Sequence, residues 1–228
     1  MLILAIDTSC ANAGVCLMRD GNVLGAVSQA DKRTHSVKLL PEIQALLEAC
    51  GLSPADPDLF AVTTGPGSFT GVRIGAATAK MLAYAAGKPL VGVNTLDVLA
   101  GETDPARARD EYVLSLIDAR NLRAYGRLYR GGRQLTPGAV DKVSVLIGSL
   151  PEEAKGRKII VRGDAVLNPG ICAELASNAG FAFVPETDNA YPDPAVLAAM
   201  AGKIFDSALG DAARFAPESL RIEYMKDW

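Results

Sequence analysis

The stretch TTGPGSFTGVRIG, Thr63–Gly75, governs how the rest of the chain is interpreted. It places four glycines and a proline between an apolar run, PDLFAVTT, and a helical pattern that continues to Ala86. Such backbone freedom at a strand-to-helix junction has three physical uses. It cradles phosphate with bare N–H groups, forms a hydrolase nucleophile turn, or lets a helix approach its neighbours closely. A P-loop requires a lysine directly after its second glycine, but Val72 follows Gly71. The dinucleotide fingerprint fails because Gly71 lies one residue too far from Gly65 and Gly67. The nucleophile turn fails because Pro66 and Thr70 stand around Ser68 where glycines are required, and His35 is the chain's one imidazole. Two readings stay open: a packing corner, and an anion site to which Arg73 adds charge.

Beyond this loop, Gly71, Gly75, Ala79 and Ala83 recur at every fourth position and form a ridge of small residues, with Gly87 as a stop. Upstream, HSVKLLPEIQALLEAC reads as a helix over Ser36–Cys50. Val37, Leu40, Ile43, Leu47 and Cys50 fall at helical spacing, and Leu39 and Leu46 widen the stripe. Pro41 suits a first turn or a kink. So wide a face serves core packing or, in part, contact with another subunit. The N-terminus reads as a meander, Leu2–Ile6, Gly14–Arg19 and Val23–Gln29, with Asp20-Gly21 at the second turn. Its first turn, DTSCANAG, carries Asp7-Thr8-Ser9, either a phosphate contact or an Asx-type turn.

The 228 residues suit one large domain or two small ones. A polar stretch, GETDPARARDE at 101–111, marks the expected boundary, giving domains 1–103 and 110–228. The second half restarts with YVLSLIDARNLRAYGRLYR, a hairpin, followed by the strand RKIIVRGDA and the helix DPAVLAAMAGKIF. LAIDTS near the start and SLIDAR near residue 118 are both strands ending in Ile-Asp, an internal echo that suggests a duplicated unit. The second copy continues with Ala119, Arg120, Asn121 and Leu122 rather than with Thr and Ser, and so is degenerate as a phosphate hairpin.

A net charge of −3 and a pI near 5.3 give a poor footprint for independent nucleic-acid binding. Cys10, Cys16, Cys50 and Cys172 form no C-x-x-C pair, and with one histidine no zinc set is evident. The start lacks a basic n-region and no apolar run reaches membrane-spanning length, so a cytoplasmic protein with free thiols and no membrane association is expected.

ILAIDTS, GPGSFTGVRIG, PLVGVNTLDVLA and IDAR, in this order, resemble the TsaB (YeaZ) family of bacterial tRNA threonylcarbamoyladenosine synthesis. The likeness is strong over residues 1–130 and weaker beyond. It implies an α/β fold of two duplicated actin/Hsp70/sugar-kinase-like domains, the second smaller and degenerate. The related catalytic subunit, TsaD, carries two metal-binding histidines where this chain has Thr95 and Leu99. The resemblance therefore implies a non-catalytic subunit that binds a TsaD-like partner, with a TsaE-like ATPase completing the complex, tRNA met only through it, and a homodimer when alone. It implies no metal and no cofactor of the chain's own, with ATP or ADP a candidate at the complex interface near Asp7, Thr8, Ser9, Gly67 and Ser68. The partner interface is expected at Leu39, Leu40, Ile43, Leu46, Leu47, Gly71, Arg73, Gly75, Ala79 and Ala83. The competing class is an autonomous ATP-dependent phosphotransferase or peptidase of the same fold. The chain departs from the family at Arg123-Ala124-Tyr125, where Glu is frequent, and at PESLR, where Ser219 replaces a tyrosine.

Overall fold

The computed structural model describes residues 1–30, 35–101, 110–209 and 211–225. The chain divides into two compact units, Met1–Val98 with Pro192–Glu223, and Leu99–Tyr191 with Tyr224–Trp228. Most of the expected boundary, residues 102–109, lies outside the described residues, as do 226–228.

In the first unit, β1 (Leu2–Asp7), β2 (Asn12–Arg19) and β3 (Asn22–Ala30) form an antiparallel meander. β4 (Leu59–Thr63) and β5 (Leu90–Val93) add in parallel, giving the order β3-β2-β1-β4-β5. Every residue of β1 and β4 is buried, because this sheet is covered on both faces. The period of two then sorts the side chains. Leu2, Leu4, Ile6, Val15, Leu17, Phe60 and Val62 face one way, onto α1 (His35–Ala49) and α2 (Phe69–Ala86). Ile3, Ala5, Cys16, Met18, Leu59, Ala61, Val91 and Val93 face the other way, onto Val196, Leu197, Ala198 and Ala201.

Those last four belong to the helix Pro194–Ser207, which packs on β1, β2, β4 and β5. The sequence reading assigns this helix to a second domain at 110–228, and the structure corrects it. The back face of the first sheet is apolar and needs a cover, and VLAAMA offers small and branched side chains at helical spacing. Asp193 caps the helix by accepting from the Ala195 N–H. Pro41 is not a first-turn residue. It sits mid-helix in α1 on the exposed side, where water reaches the carbonyl that it cannot serve. α2 ends as expected, with Gly87, at φ 65°, donating to the Ala83 and Tyr84 carbonyls, and it starts at Phe69 under a Ser68 cap that the sequence reading does not name.

After the short helix α3 (Thr95–Ala100), the second unit repeats the hairpin with β6 (Tyr112–Asp118) and β7 (Arg123–Arg130). The small strands β8 (Arg133–Gln134) and β9 (Ala139–Lys142) pair with β7, and the helix α4 (Val143–Gly148) follows. β10 (Lys158–Arg162) adds in parallel beside β6, and β11 (Ala182–Pro185) in parallel beside β10, with α5 (Pro169–Ser177) between them in sequence. Tyr112, Leu114, Leu116, Ala124 and Leu128 turn one face of this sheet onto α4 and α5 through Val143, Leu146, Ile147, Ile171 and Leu175. The helix Pro194–Ser207 is α6. The α/β class and its two sheets agree with the sequence reading.

Candidate functional site

The glycine-rich loop runs along the carboxyl ends of β1, β4 and β5, where open α/β sheets commonly receive ligands. Here the chain's own atoms fill much of that crest. The Asp7 carboxylate, 1 % exposed, accepts from the Ser9 N–H at 3.1 Å, the Ser9 hydroxyl at 2.6 Å and the Thr63 hydroxyl at 2.6 Å, all on one oxygen. Thr8 is equally buried and its hydroxyl donates to the Gly71 carbonyl at 2.7 Å. The Asx-type turn foreseen for DTS is therefore present. Asp7, Thr8 and Ser9, the residues expected near a nucleotide, are buried here, with Asp7 bonded to Ser9 and Thr63, and Thr8 to Gly71.

The glycines act as a packing corner. A side chain on Gly67 would collide with the Ser9 carbonyl, and one on Gly71 with the Thr8 carbonyl. One on Gly75 would meet the Thr8 hydroxyl. The Ser68 N–H donates to the Ser9 carbonyl at 2.6 Å, and the exposed Ser68 uses its hydroxyl as the cap of α2, accepting from the Gly71 N–H at 3.2 Å. At Gly71 and Gly75 the ridge thus presses α2 against the β1–β2 turn. Gly67 and Ser68 are both spoken for by this corner. The His35 side chain lies outside the described residues.

Burial divides the residues expected at a partner interface. Leu39, Ile43, Leu46, Leu47, Ala79 and Ala83 are core residues of the first unit. Gly71 and Gly75 are buried against Thr8. A residue consumed by its own core offers no surface to a partner. Leu40 and Arg73 alone of the ten candidates are exposed. They belong to a second pair of stripes that the sequence reading misses. On α2, Phe69, Arg73, Ala77 and Met81 recur every fourth residue, with Tyr84 one turn on, and all five are exposed. This stripe is offset by two positions from the small ridge, and so lies on the opposite side of the helix. The Arg73 guanidinium stacks 3.7 Å from the centre of the Phe69 ring. On α1, which packs beside α2, Val37, Leu40, Pro41, Gln44 and Ala45 form the exposed side. Val37 is 72 % exposed, Met81 54 % and Tyr84 77 %. The same four-residue period that reveals the ridge carries this stripe too. The signal is present in the sequence, but the glycines outweigh it.

Among the described residues no group of three or more His, Cys, Asp or Glu is placed to hold a metal ion, and no helix is long and apolar enough to cross a membrane. Burial pushes the Cys16 thiol up to about 12, which keeps it protonated and inert in the core between β2 and α6.

Comparison with known proteins places these features. The family model described as TsaD, tRNA N6-adenosine threonylcarbamoyltransferase, matches residues 22–223. The tRNA threonylcarbamoyladenosine biosynthesis protein TsaB of Bacillus subtilis is 32 % identical over 97 % of this chain and 95 % of its own length. A solved structure from Pseudomonas aeruginosa, described as similar to peptidase YeaZ, superposes with a TM-score of 0.79 at 27 % identity, over 99 % of both chains. Component A of the Acidaminococcus fermentans (R)-2-hydroxyglutaryl-CoA dehydratase shares the fold alone, with a TM-score of 0.53 at 10 % identity over 90 % of this chain and 98 % of its own.

Proposed function

The chain belongs to the TsaB (YeaZ) family, and we propose that it is a non-catalytic subunit of the machinery that forms threonylcarbamoyladenosine on tRNA, acting by binding a TsaD-like catalytic subunit. The observation that carries this reading is the exposed apolar face of α1 and α2. A folded chain rarely leaves Val37, Leu40, Phe69, Met81 and Tyr84 together in water unless another surface covers them. Large aromatic and methionine side chains beside an arginine are the composition of an interface centre. The crest supports the non-catalytic half of the proposal. Asp7, Ser9 and Ser68, the groups a phosphotransferase or peptidase of this fold would draw on, already hold the β1–β2 turn and the cap of α2.

In this reading the face takes a TsaD-like subunit in the working complex and a second copy of the chain in its absence. A TsaE-like ATPase joins the assembly, any ATP or ADP is bound there rather than by this chain alone, and tRNA is held by the partners, as the net charge of −3 suggests. The recurrence of a hairpin followed by two parallel strands in both sheets supports descent from a duplicated unit.

The test is Tyr84→Asp combined with Met81→Asp, both at exposed positions, so that circular dichroism and melting stay native. The variant is expected to bind the TsaD-like subunit at least ~10-fold more weakly, the scale of losing two interface anchors, and to fail in reconstituted tRNA modification. Wild-type affinity and full modification by the folded variant would place the interface elsewhere. Robust ATP turnover by the purified protein, lost on Asp7→Ala in a folded variant, would overturn the non-catalytic assignment.

A further inference from the structure

We propose that the segment Ala216–Glu223 is a strap that fixes the glycine-rich loop and the start of α2, with Glu223 as its positioning residue; this rests on the reading of α2 as a partner face. The sequence of this segment has no helical or strand periodicity, and it forms a single 3₁₀ turn, Pro217–Ser219, followed by extended chain. Its contacts are nevertheless specific. The Pro217–Ser219 turn packs against α2. Leu220 lies over β5 in the space left by Gly92, where an added side-chain carbon would come within 2.6 Å of it. The Glu223 N–H donates to the Thr64 carbonyl at 2.8 Å. Its own carbonyl stands 2.7 Å from where Gly65 would carry a side chain.

The Glu223 carboxylate completes the hold. The Thr64 hydroxyl donates to one of its oxygens at 3.2 Å, and the Asn94 amide to the other at 2.6 Å. Thr64 and Asn94 are buried and follow β4 and β5 directly, so one side chain ties the ends of two neighbouring strands. Asn94 is itself fixed, because its amide oxygen accepts from the Leu96 N–H at 2.9 Å. The loop that starts at Thr64 and Gly65 runs straight into Ser68 and Phe69, where α2 and its exposed stripe begin. What pins Thr64 and Gly65 therefore sets where Phe69 and Arg73 are presented. Glu223 is an exposed residue and the strap belongs to no sheet, so it can let go without unfolding the strands beneath it.

Hydrogen–deuterium exchange on the full-length protein, read over peptides covering 63–74 and 90–98, tests this directly. Glu223→Ala is expected to speed exchange at 63–74 by ~5-fold or more, the sign of a local opening, while α6 and β6 stay protected. Glu223→Gln is expected to behave as wild type, because its amide oxygen still accepts from Asn94 and the Thr64 hydroxyl can turn to accept. Should Glu223→Ala fail to fold, Thr64→Val removes one of the same hydrogen bonds and is read in the same way, with a smaller rise expected. Unchanged exchange at 63–74 in a folded Glu223→Ala, or in Thr64→Val if that variant stands in, overturns the strap. A rise in exchange with wild-type affinity for the TsaD-like subunit overturns the positioning role. The Tyr84→Asp, Met81→Asp variant separates the two readings: it is expected to lose the partner with normal exchange at 63–74. If it keeps the partner, the partner-face reading fails, and with it the positioning role, while the strap's hold on the loop is still judged by exchange.

Discussion

Each sheet ends its first strand in Ile-Asp and turns back into an antiparallel partner, yet the two aspartates live in different surroundings. Asp7 is buried at a turn of small residues, and three donors converge on one of its oxygens. Asp118 is half-buried. It accepts from the Arg120 N–H at 2.6 Å and the Asn168 amide at 3.0 Å, and its own N–H donates to Asp164 at 2.8 Å. Its turn is built of Arg120, Asn121 and Leu122, all left-handed, at φ of 69°, 54° and 57°. A helix also starts near each turn and brings a glycine towards it. Gly71 of α2 faces the backbone carbonyl of Thr8, whereas a side-chain carbon added to Gly170 of α5 would come within 2.7 Å of the end of the Leu122 side chain. One strand pattern thus tolerates two solutions at its crest. In the first unit the backbones lock together, and in the second a flexible side chain fills the gap.

The most severe challenge to this contrast is Gly71→Ala. In an unconstrained helix that change is favourable, but here the new methyl group would run into a carbonyl that cannot swing aside. A loss of about 3 kcal/mol in urea unfolding is expected, against a change within about 1 kcal/mol for Gly170→Ala, where Leu122 gives way. Equal effects at the two sites would erase the distinction. Next come the aspartates themselves. Asp7→Ala leaves the Ser9 and Thr63 hydroxyls buried without this acceptor and should cost about 3 kcal/mol, whereas the half-exposed Asp118→Ala should cost about 1 kcal/mol. Chemical denaturation of the two variants side by side is the measurement.

A gain rather than a loss is expected at the left-handed turn. Arg120→Gly replaces an exposed side chain at φ 69° and should stabilise the protein by about 0.5 kcal/mol, since the relieved left-handed cost slightly exceeds the added freedom of the unfolded chain. Thermal melting of the variant beside wild type reads this gain. The smallest effect is one of pH. Burial pushes the Glu186 carboxyl up, but hydrogen bonds from Asn189 and Arg162, together with the Arg162 charge, outweigh it and hold the group below the ordinary glutamate value. A depressed carboxyl contributes stability that is full above the unfolded-state value and is lost as pH falls through the folded one. Glu186→Gln should therefore lose stability relative to wild type at neutral pH, and the gap should close as acid titration passes below that window.

Much of the first unit is legible in its residues. The apolar runs LILAID and LFAVT, turn chemistry at Asp20-Gly21 and the stop at Gly87 are local signals, and the elements form where they say. The helix α6 is legible as a helix and misplaced as a neighbour. Its apolar face shows that it needs a sheet, but not which of two, and the matching back face belongs to strands that lie far earlier in the chain. The strap escapes altogether. PESLRIE has no period, and Glu223 gains its meaning from Thr64 and Asn94, 159 and 129 residues away.

Residue order alone was enough for the family, the two hairpins, the small-residue ridge and the failure of every phosphate or nucleophile motif in the glycine loop. These follow from residue types at short fixed spacings, which backbone geometry converts into structure with little help. What the ridge touches, which sheet α6 covers and which side of α2 is left in water emerged only once the chain was packed. Each of these is a choice between surfaces of similar character, and it is settled by which partner excludes more water at closest packing rather than by any local preference.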